Sequence, residues 1–281
     1  MSNHILIVEK REGETSFSSL FPIKRHFKKS KVGHAGTLDK FAHGLMIVLV
    51  GKFTRLNQLF SKMDKSYLAS VKFGSETTTL DPEGEVIKTG PLPTKEEIIN
   101  ILPSFLGTID QEPPIYSALH VNGKRAYKEA RNGNITSMEK RPVTISKIEL
   151  ISYEDGIALI DTRVSSGTYI RSLARDIANS LNTAGHLVAL KRYSIGPFDE
   201  SYCADLDTDN TLRILNEVCK GKIEFSTTYL EALLHGYFSP KGIASITNDK
   251  DGYYTVFNED KFIAVVEKRD SNYKLLAQIL W

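Results

Sequence analysis

A single aspartate lies in a glycine-containing segment, KVGHAGTLDKFAHG, that leads directly into the apolar run LMIVLV. Gly33 and Gly36 precede Asp39, and the sequence has no other acidic residue between Lys31 and Gly51. Burial raises the pKa of a carboxyl group, whereas a neighbouring cation lowers it. A carboxylate held against a buried strand therefore needs a cationic partner, and its placement indicates a chemical role.

A candidate for that partner occurs later in the chain, in the segment SSGTYIRSLARDIANSL. Its apolar residues recur at helical spacing, which predicts a helix with a buried stripe. Arg171 falls in the first turn of this helix, where the helix dipole gives a cation no stabilisation. From helix position alone, an outside partner for Arg171 and a solvent-facing side chain are equally good interpretations. For Arg175 a solvent-facing side chain is the better one.

The composition excludes several classes of protein. The chain has 281 residues, of which 41% are hydrophobic and 25% charged, as is typical of a soluble globular protein. No apolar run approaches the roughly 20 residues that span a bilayer, and the N-terminus does not resemble a signal peptide. We therefore expect a cytoplasmic protein with no membrane partner. Asp39 and His43 are close in sequence, but a metal site needs more donors, so we predict no metal site.

Two basic runs suggest a polyanionic partner, although the net charge is only +2. The first extends from Lys24 to Lys31. The second, HVNGKRAYKEARNG, extends from His120 to Gly133 and has Tyr127 among its cations. Interleaved cations and an aromatic ring suit phosphate contacts and base stacking. On their own, these runs favour nucleic-acid binding no more than an ordinary solvated surface.

The elements that must hold these residues follow from the apolar pattern. HILIVEK and LMIVLV predict buried strands, and the alternation in SYLASVKFG places Tyr67 on the core face of a half-buried strand. Thr94 and Glu97 predict a capping box at the start of a helix. From residue 145 to residue 195, the pattern predicts two strands joined by a turn and then the arginine-containing helix.

These segments carry a resemblance to a known family. KREGETS and KVGHAGTLD resemble the first two sequence blocks of the TruB family of bacterial tRNA pseudouridine synthases. Five further blocks follow in the family's order up to about residue 200: DKSYLASVKFGSETTTLDPEGEV, QEPPIYSALHVNGKRAYKEARNG, RPVTI, SSGTYIRSLARDI and GHLVALKR. A series of this length is a specific signal. The resemblance implies an α+β pseudouridine synthase fold, with a mixed, mainly antiparallel central sheet flanked by helices and loops.

The resemblance also assigns roles to individual residues. Asp39 matches the essential aspartate of the family, Tyr67 the tyrosine against the target base, and Arg171 the arginine paired with the aspartate. These three are the expected catalytic residues. The residues expected to bind substrate are Gly33, His34, Gly36, Lys65, Lys124, Arg125, Arg131, Tyr169 and Leu190.

Within this second set, the resemblance implies more specific roles. Tyr169 and Leu190 are expected to wall the uracil pocket, and His34 to support the flipped nucleotide. Gly33 and Gly36 would let the loop backbone turn sharply around the acid. Residues 120–133 would form a thumb-like RNA-binding segment. The paired arginine would keep the catalytic carboxylate ionised.

The implied reaction is isomerisation of uridine to pseudouridine at position 55 of the tRNA T-loop. No electrons, energy or atoms are exchanged with a second molecule, so no cofactor is expected. Asp39 can attack C1′ or take the 2′ proton to give a glycal-like intermediate, and the sequence does not choose between them. The expected partner is the T-arm of tRNA, bound by a monomer that needs no obligate protein partner. Two alternatives are a non-catalytic tRNA-binding or tRNA-folding protein and a glycosylase that releases uracil.

Four positions depart from the family's pattern, among them His120 in place of a common lysine, which weakens one phosphate contact at most. Lys40 stands where a proline is usual, His43 where a small residue is usual, and Arg11 in place of the proline of the opening block. These changes alter loop stiffness and local charge but remove no chemical group.

The C-terminal part of the chain lies beyond the family blocks. Residues 1–225 are expected to form the catalytic domain and residues 226–281 a small β-rich domain. The segment GYYTVFNEDKFIAVVEKRDSNYKLLAQILW predicts three short strands separated by turns. It resembles a shortened PUA RNA-binding module, and a β-rich appendix that only buries apolar surface explains the pattern equally well.

Overall fold

The computed structural model describes residues 2–117, 120–121, 124–125 and 138–279. Two main sheets with helices packed on them make up this part of the chain, so the predicted α+β class is confirmed. Within these residues, no helix is long and apolar enough to cross a membrane. Most of the predicted thumb-like segment 120–133 lies outside the described residues, including Arg131.

The strands are numbered in chain order. Those in the first half of the chain are β1 (His4–Lys10), β2 (Val32–Ala35), β3 (His43–Val50), β4 (Lys65–Phe73), β5 (Ser75–Thr77), β6 (Val86–Thr89), β7 (Gly107–Gln111), β8 (His120–Val121) and β9 (Lys124–Arg125). Those in the second half are β10 (Arg141–Glu154), β11 (Ile157–Val164), β12 (Gly185–Ile195), β13 (Gly221–Phe225), β14 (Ile243–Ile246), β15 (Gly252–Asn258), β16 (Lys261–Arg269) and β17 (Asn272–Gln278).

The larger sheet has the order β1-β3-β12-β4-β11-β10-β7, and β2 pairs with β3 beside this path. Neighbouring strands are antiparallel except β3 and β12, which run parallel where His43 and Gly44 face Lys191 and Arg192. The predicted mixed, mainly antiparallel sheet is therefore confirmed. Two-stranded ribbons form from β5 with β6 and from β8 with β9.

The helices lie on the faces of the sheets. The α-helices of the described residues are Phe21–His26, Asn57–Ser61, Lys95–Ile101, Ile170–Ser180, Thr211–Val218 and Leu230–Leu234. Short 3-10 turns occur at Ser18–Leu20, Gly51–Leu56, Leu102–Phe105, Glu200–Tyr202, Thr227–Tyr229 and Pro240–Gly242. The predicted capping box is present at the helix Lys95–Ile101, where Thr94 and Glu97 bond each other's backbone N–H groups.

The helix Ile170–Ser180, hereafter the arginine helix, shares the main hydrophobic core with the larger sheet. Its apolar stripe packs with the inward side chains of β4, and Tyr67 is among them at 7% exposure, as predicted. The alternation of β4 thus fixes which of its side chains face the arginine helix. The stripe consists of Ile170, Leu173, Ala174, Ile177 and Ala178.

The strand β3 is apolar throughout because both of its faces are covered. Met46 and Val48 pack on one side with residues of the helix Phe21–His26, and Ile47 and Leu49 pack on the other side. A strand buried on both faces reads as a continuous apolar run rather than an alternation. The loop that carries Asp39 therefore leads into a strand that is buried from Gly44 to Val50.

The smaller sheet has the order β14-β13-β15-β16-β17. The three predicted C-terminal strands are present as β15, β16 and β17, and the sequence pattern missed β13 and β14. Val265 and Ala277 of this sheet share a core with Ile47 and Leu49 of β3. The predicted division at residue 225 places β13 in the first unit, although β13 pairs in parallel with β15 of the second.

Candidate active site

One pocket of about 460 Å³ brings together most of the predicted site residues that the structure describes. Its walls come from the loop between β2 and β3, the start of β4, the second half of β12, the start of the arginine helix, and Tyr116 and Ser117 after β7. The predicted residues that line it are Gly36, Asp39, Lys65, Tyr67, Tyr169, Arg171 and Leu190. Elements distant in sequence thus converge on one cavity.

Asp39 and Arg171 form an ion pair at this pocket. Nη2 of Arg171 donates a hydrogen bond to Oδ1 of Asp39 at 3.1 Å. Nε lies 2.9 Å from Oδ2 but makes no hydrogen bond in the described structure, so that contact is electrostatic only. The side chain of Asp39 is 37% exposed and that of Arg171 only 6%. The arginine is therefore fixed in the protein, while the carboxylate reaches the cavity.

A second carboxylate, Asp81, holds the same arginine and was missed by the sequence analysis. Nη1 of Arg171 donates to Oδ2 of Asp81 at 3.2 Å and to the carbonyl of Thr79 at 2.9 Å. Asp81 is itself buried and accepts hydrogen bonds from the Thr79 hydroxyl and the Glu83 N–H. Arg171 thus lies between two carboxylates, and Asp81 fixes the side of the guanidinium that faces away from Asp39.

The surroundings of Asp39 raise its pKa above the ordinary value. Burial is the largest cause, and the neighbouring Asp81 acts in the same direction, while Arg171 opposes both. Arg171 was expected to lower this pKa and keep the carboxyl group ionised, and it does act in the lowering direction. It does not outweigh burial, so the net pKa is raised rather than lowered.

The Asp39 loop is anchored on both sides of the aspartate by buried cations. Lys10, at the end of β1, donates to the carbonyls of Lys40 and Ala42 at 3.3 and 2.5 Å. Arg192, in β12, donates to the carbonyls of Gly36 and Leu45 at 3.3 and 2.8 Å. Both cations are fully buried and form no ion pair with a carboxylate in the described part of the chain.

The turn that presents Asp39 depends on one glycine. Gly36 has φ = +95°, in the left-handed region that other residues rarely adopt. Gly33 instead lies within β2 opposite Leu49, and a Cβ there would meet only Thr54 at 4.0 Å. The predicted turning role of Gly33 is therefore wrong, and the turn comes from Gly36.

Lys65 lies in the pocket wall and is almost fully buried. Its ammonium group donates to the carbonyls of Ser61 and Met63 at 2.9 and 2.5 Å. Burial, together with the nearby Arg192, lowers its pKa to about 8. Lys65 is therefore a stronger acid than an exposed lysine, although it remains mainly protonated at neutral pH.

Tyr169 is positioned by Gln111, another residue that the sequence analysis missed. The Gln111 side chain accepts from the Tyr169 N–H at 2.8 Å and donates to the Tyr169 carbonyl at 3.1 Å. Gln111 ends β7 and is 1% exposed, so these bonds tie the start of the arginine helix to the sheet. Burial raises the pKa of the Tyr169 phenol. Tyr67 and Leu190 provide further ring and aliphatic surface in the same cavity.

Among the other predicted residues that the structure describes, Gly33 and His34 lie outside the pocket. His34 lies in β2, half-buried, and does not line the cavity; burial and Arg192 lower its pKa, so its imidazole is neutral at pH 7. For Lys124 and Arg125, the structure describes only the backbone of β9.

Arg175 does not face solvent, contrary to the interpretation from helix position. Its side chain is 18% exposed, lies 2.8 Å from the Asp176 carboxylate, and donates to the Glu112 carbonyl at 2.9 Å. It contacts neither Asp39 nor Arg171 and does not line the site pocket.

Comparisons with known proteins agree with this arrangement. The model of the TruB family pseudouridylate synthase (N terminal domain) matches residues 24–170. The chain is 39% identical over 273 residues to tRNA pseudouridine synthase B of Borreliella burgdorferi strain ZS7, with 95% of each chain covered. It is 37% identical over 283 residues to tRNA pseudouridine synthase B of Clostridium kluyveri, with 97% of this chain and 98% of the relative covered.

Solved structures show the same fold at lower identity. A chain in the crystal structure of a Cbf5–Nop10–Gar1 complex matches with a TM-score of 0.67 at 22% identity, over 99% of this chain and 84% of the other. A chain in the structure of an H/ACA RNP bound to a substrate RNA matches with a TM-score of 0.64 at 20% identity, over 98% of this chain and 83% of the other. Together with the family match, this likeness confirms the predicted fold.

Proposed function

The chain belongs to the TruB family of pseudouridylate synthases, and we propose that it isomerises uridine to pseudouridine at position 55 in the T-loop of tRNA. The observation that carries this proposal is the pocket in which Asp39 reaches the cavity while Arg171 is fixed behind it. Relatives named tRNA pseudouridine synthase B, similar over nearly the whole chain, support tRNA as the substrate.

The reaction exchanges one bond to the sugar for another. The bond between C1′ and N1 of the uracil breaks, the base turns, and C5 bonds to the same C1′. The proton that leaves C5 balances the proton gained at N1, so the product is an isomer and no co-reactant is consumed. The protein must therefore supply a carboxylate near the ribose, a pocket that retains the detached base, and groups that handle a proton at C5.

Asp39 is the group that acts on the ribose. It either attacks C1′, so that the sugar is held covalently while the base turns, or removes the 2′ proton to give a glycal-like intermediate. Both routes need the ionised carboxylate, and both gain from an oxygen that is more basic than that of an ordinary aspartate. Arg171 supports both routes by orienting the carboxylate and stabilising its charge.

The base is held by the apolar and aromatic walls of the pocket. Tyr67 is assigned to the face of the uracil, and Tyr169 and Leu190 to the walls that retain it after the glycosidic bond breaks. A uridine in a folded loop must first be flipped out, at a cost of a few kcal/mol. Stacking on the two tyrosines and phosphate contacts outside the pocket would offset that cost.

The phosphate contacts are assigned to cations around the pocket. Lys124, Arg125 and Arg131 of segment 120–133 have the composition for this role, and Lys65 adds a positive charge at the pocket wall. For the small β-sheet at the C-terminus, RNA binding as a shortened PUA-like module and a purely structural role stay equal alternatives. The protein would act on tRNA as a monomer, without an obligate protein partner or a cofactor.

The test is Asp39→Asn, which keeps the size of the side chain and removes its charge. Unmodified tRNA transcript is incubated with the variant, and pseudouridine at position 55 is mapped under single-turnover conditions. We expect no product, with tRNA binding unchanged or slightly tighter because an anion has been removed from the path of a polyanion.

The matched control is Asp64→Asn. Asp64 immediately precedes β4 and forms a surface ion pair with Arg163, and it does not line the pocket. This control should retain activity near that of the parent. Pseudouridine formation by Asp39→Asn at a rate close to the parent's would refute the mechanism, and release of free uracil by the parent would identify a glycosylase instead.

A further inference from the structure

A pair of exposed phenylalanines near the Asp39 loop has no role in the proposed chemistry. Phe17 and Phe21 are 59% and 52% exposed. Their ring centroids are 5.6 Å apart with the planes at 82°, so the rings meet edge to face. Two adjacent aromatic side chains exposed to water form an apolar patch that is unfavourable unless a ligand covers it. The pair therefore has the character of a binding surface.

The chain connects this pair to the catalytic loop. Ser16, the residue before Phe17, accepts a hydrogen bond from the N–H of Leu38 at 2.8 Å and donates one to its carbonyl at 2.9 Å. Leu38 directly precedes Asp39, and both Ser16 and Leu38 are buried. Phe17 therefore lies one residue from a hydrogen-bonded contact with the loop that carries Asp39.

The surroundings of the pair are positively charged. The ammonium group of Lys24 lies 3.9 Å from the centroid of the Phe17 ring and 5.9 Å from that of Phe21, in cation–π contact. Lys24 begins a basic run in which five cations form no ion pair with a carboxylate in the described part of the chain; they are Lys24, Arg25, Lys28, Lys29 and Lys31. The nearby Glu14 is hydrogen-bonded to Ser19.

We propose that Phe17 and Phe21 form a stacking surface for an unpaired base of the bound RNA, and that Lys24 and the cations after it bind the adjacent phosphates. This inference rests on the proposed function, because it takes the RNA in the pocket as the occupant. Stacking on aromatic rings tolerates any base, and the uncompensated cations match a phosphate backbone. A protein partner with an apolar face would gain nothing from the basic run.

The experiment compares the double variant Phe17→Ala with Phe21→Ala against the parent, using unmodified tRNA transcript as the probe. We expect the dissociation constant to rise roughly 5- to 150-fold, the effect of losing one stacked base. The slope of log affinity against log salt should stay as in the parent, because no charge is removed. Because both side chains are exposed, the thermal unfolding midpoint should change little.

The matched control is Ile151→Ala. Ile151 is 54% exposed on β10 and belongs to neither basic run. This control should bind tRNA within about twofold of the parent, as expected for an isolated surface substitution. It separates the loss of a specific surface from a general effect of removing exposed apolar area.

A second variant, Phe17→Trp, reports stacking directly. It should bind tRNA as the parent does, and its added indole fluorescence should be quenched by tRNA, with the parent, which contains Trp281, as the background. A double alanine variant that binds tRNA within about twofold of the parent, or an indole emission unchanged by tRNA, overturns the inference. If the parent binds tRNA but forms no pseudouridine, the proposed function fails, while the affinity comparison still decides whether the stacking surface exists.

Discussion

Replacing Arg171 with lysine keeps the positive charge behind Asp39 and removes the planar donor group. The guanidinium donates at once to the carboxylates of Asp39 and Asp81 and to the carbonyls of Thr79 and Tyr116. One ammonium group has three donors on a single nitrogen and cannot reach both carboxylates from the same position. Lysine at this position therefore either leaves the catalytic carboxylate unoriented or leaves the buried one without its partner.

The size of the effect follows from the bond that is lost. A hydrogen bond to a charged group contributes about 1.5 to 3 kcal/mol, and about 1.4 kcal/mol corresponds to a tenfold change in rate. We therefore expect Arg171→Lys to lower the single-turnover rate of pseudouridine formation roughly 10- to 200-fold. The tRNA dissociation constant should change little, because the charge is kept and the side chain is almost fully buried behind Asp39.

The direction in which the pH–rate profile shifts is a second test of the role of Arg171, independent of the change in rate. The pKa of Asp39 is raised by burial and by Asp81, and Arg171 is what opposes this rise. A weaker partner lets the pKa rise further. Because the reaction needs the ionised carboxylate, activity is lost as the pH falls through this pKa. The acid limb of the rate profile should therefore move to higher pH in Arg171→Lys.

The assay is single-turnover pseudouridine formation with matched tRNA titrations over a range of pH. Arg175→Lys is the control, because Arg175 lies one turn later on the arginine helix, is also largely buried, and holds Asp176 rather than Asp39. The control should keep the parent's rate within a few fold and its acid limb. An Arg171→Lys variant with the parent's rate, or with an acid limb moved to lower pH, would show that Arg171 does not act through Asp39.

Three further outcomes are expected. Asp81→Asn should slow the reaction roughly tenfold, because one charge-assisted hydrogen bond to Arg171 is lost. It should also move the acid limb of the rate profile to lower pH, because a carboxylate that raises the pKa of Asp39 is gone. A pH–rate profile checks both effects. Lys124→Ala combined with Arg125→Ala should flatten the salt dependence of tRNA affinity by roughly 0.7 to 0.9 log units per lost phosphate contact, and an unchanged slope would make this segment a solvated loop. Gln111→Leu should lower the free energy of unfolding by about 1 to 3 kcal/mol in a denaturant titration, because the adjacent backbone groups lose their buried partners.

The parts of the fold that the sequence predicts are those set by local pattern. β3 follows from an uninterrupted apolar run, β4 from alternation, and the arginine helix from apolar residues at helical spacing. β13 and β14 were missed because each is four or five residues long and depends on pairing with β15 or with each other for its identity. Short strands of this kind carry little periodic signal of their own.

The candidate site also contains residues that the sequence predicted and residues that it did not. The family blocks pointed to Asp39, Tyr67 and Arg171, and the structure brings these three into one pocket, although their roles stay predictions. Asp81 lies in the third family block, directly before the proline of the turn sequence LDPEGE. An aspartate before a proline in a turn was the signal that could have pointed to it. Gln111 gave no such signal, because its role depends on a backbone distant in sequence.

The environment of Asp39 also explains why a raised pKa and a paired arginine occur together. A carboxylate that attacks carbon or removes a proton works better when it is more basic, and burial beside Asp81 makes it so. Burial without a counter-charge would raise the pKa further and so reduce the ionised fraction that either route needs. Arg171 limits that rise, and because Asp81 neutralises part of its charge, it limits the rise without abolishing it. The second carboxylate therefore adds to the basicity that burial gives the first, and its removal should move the acid limb in the direction opposite to loss of the guanidinium.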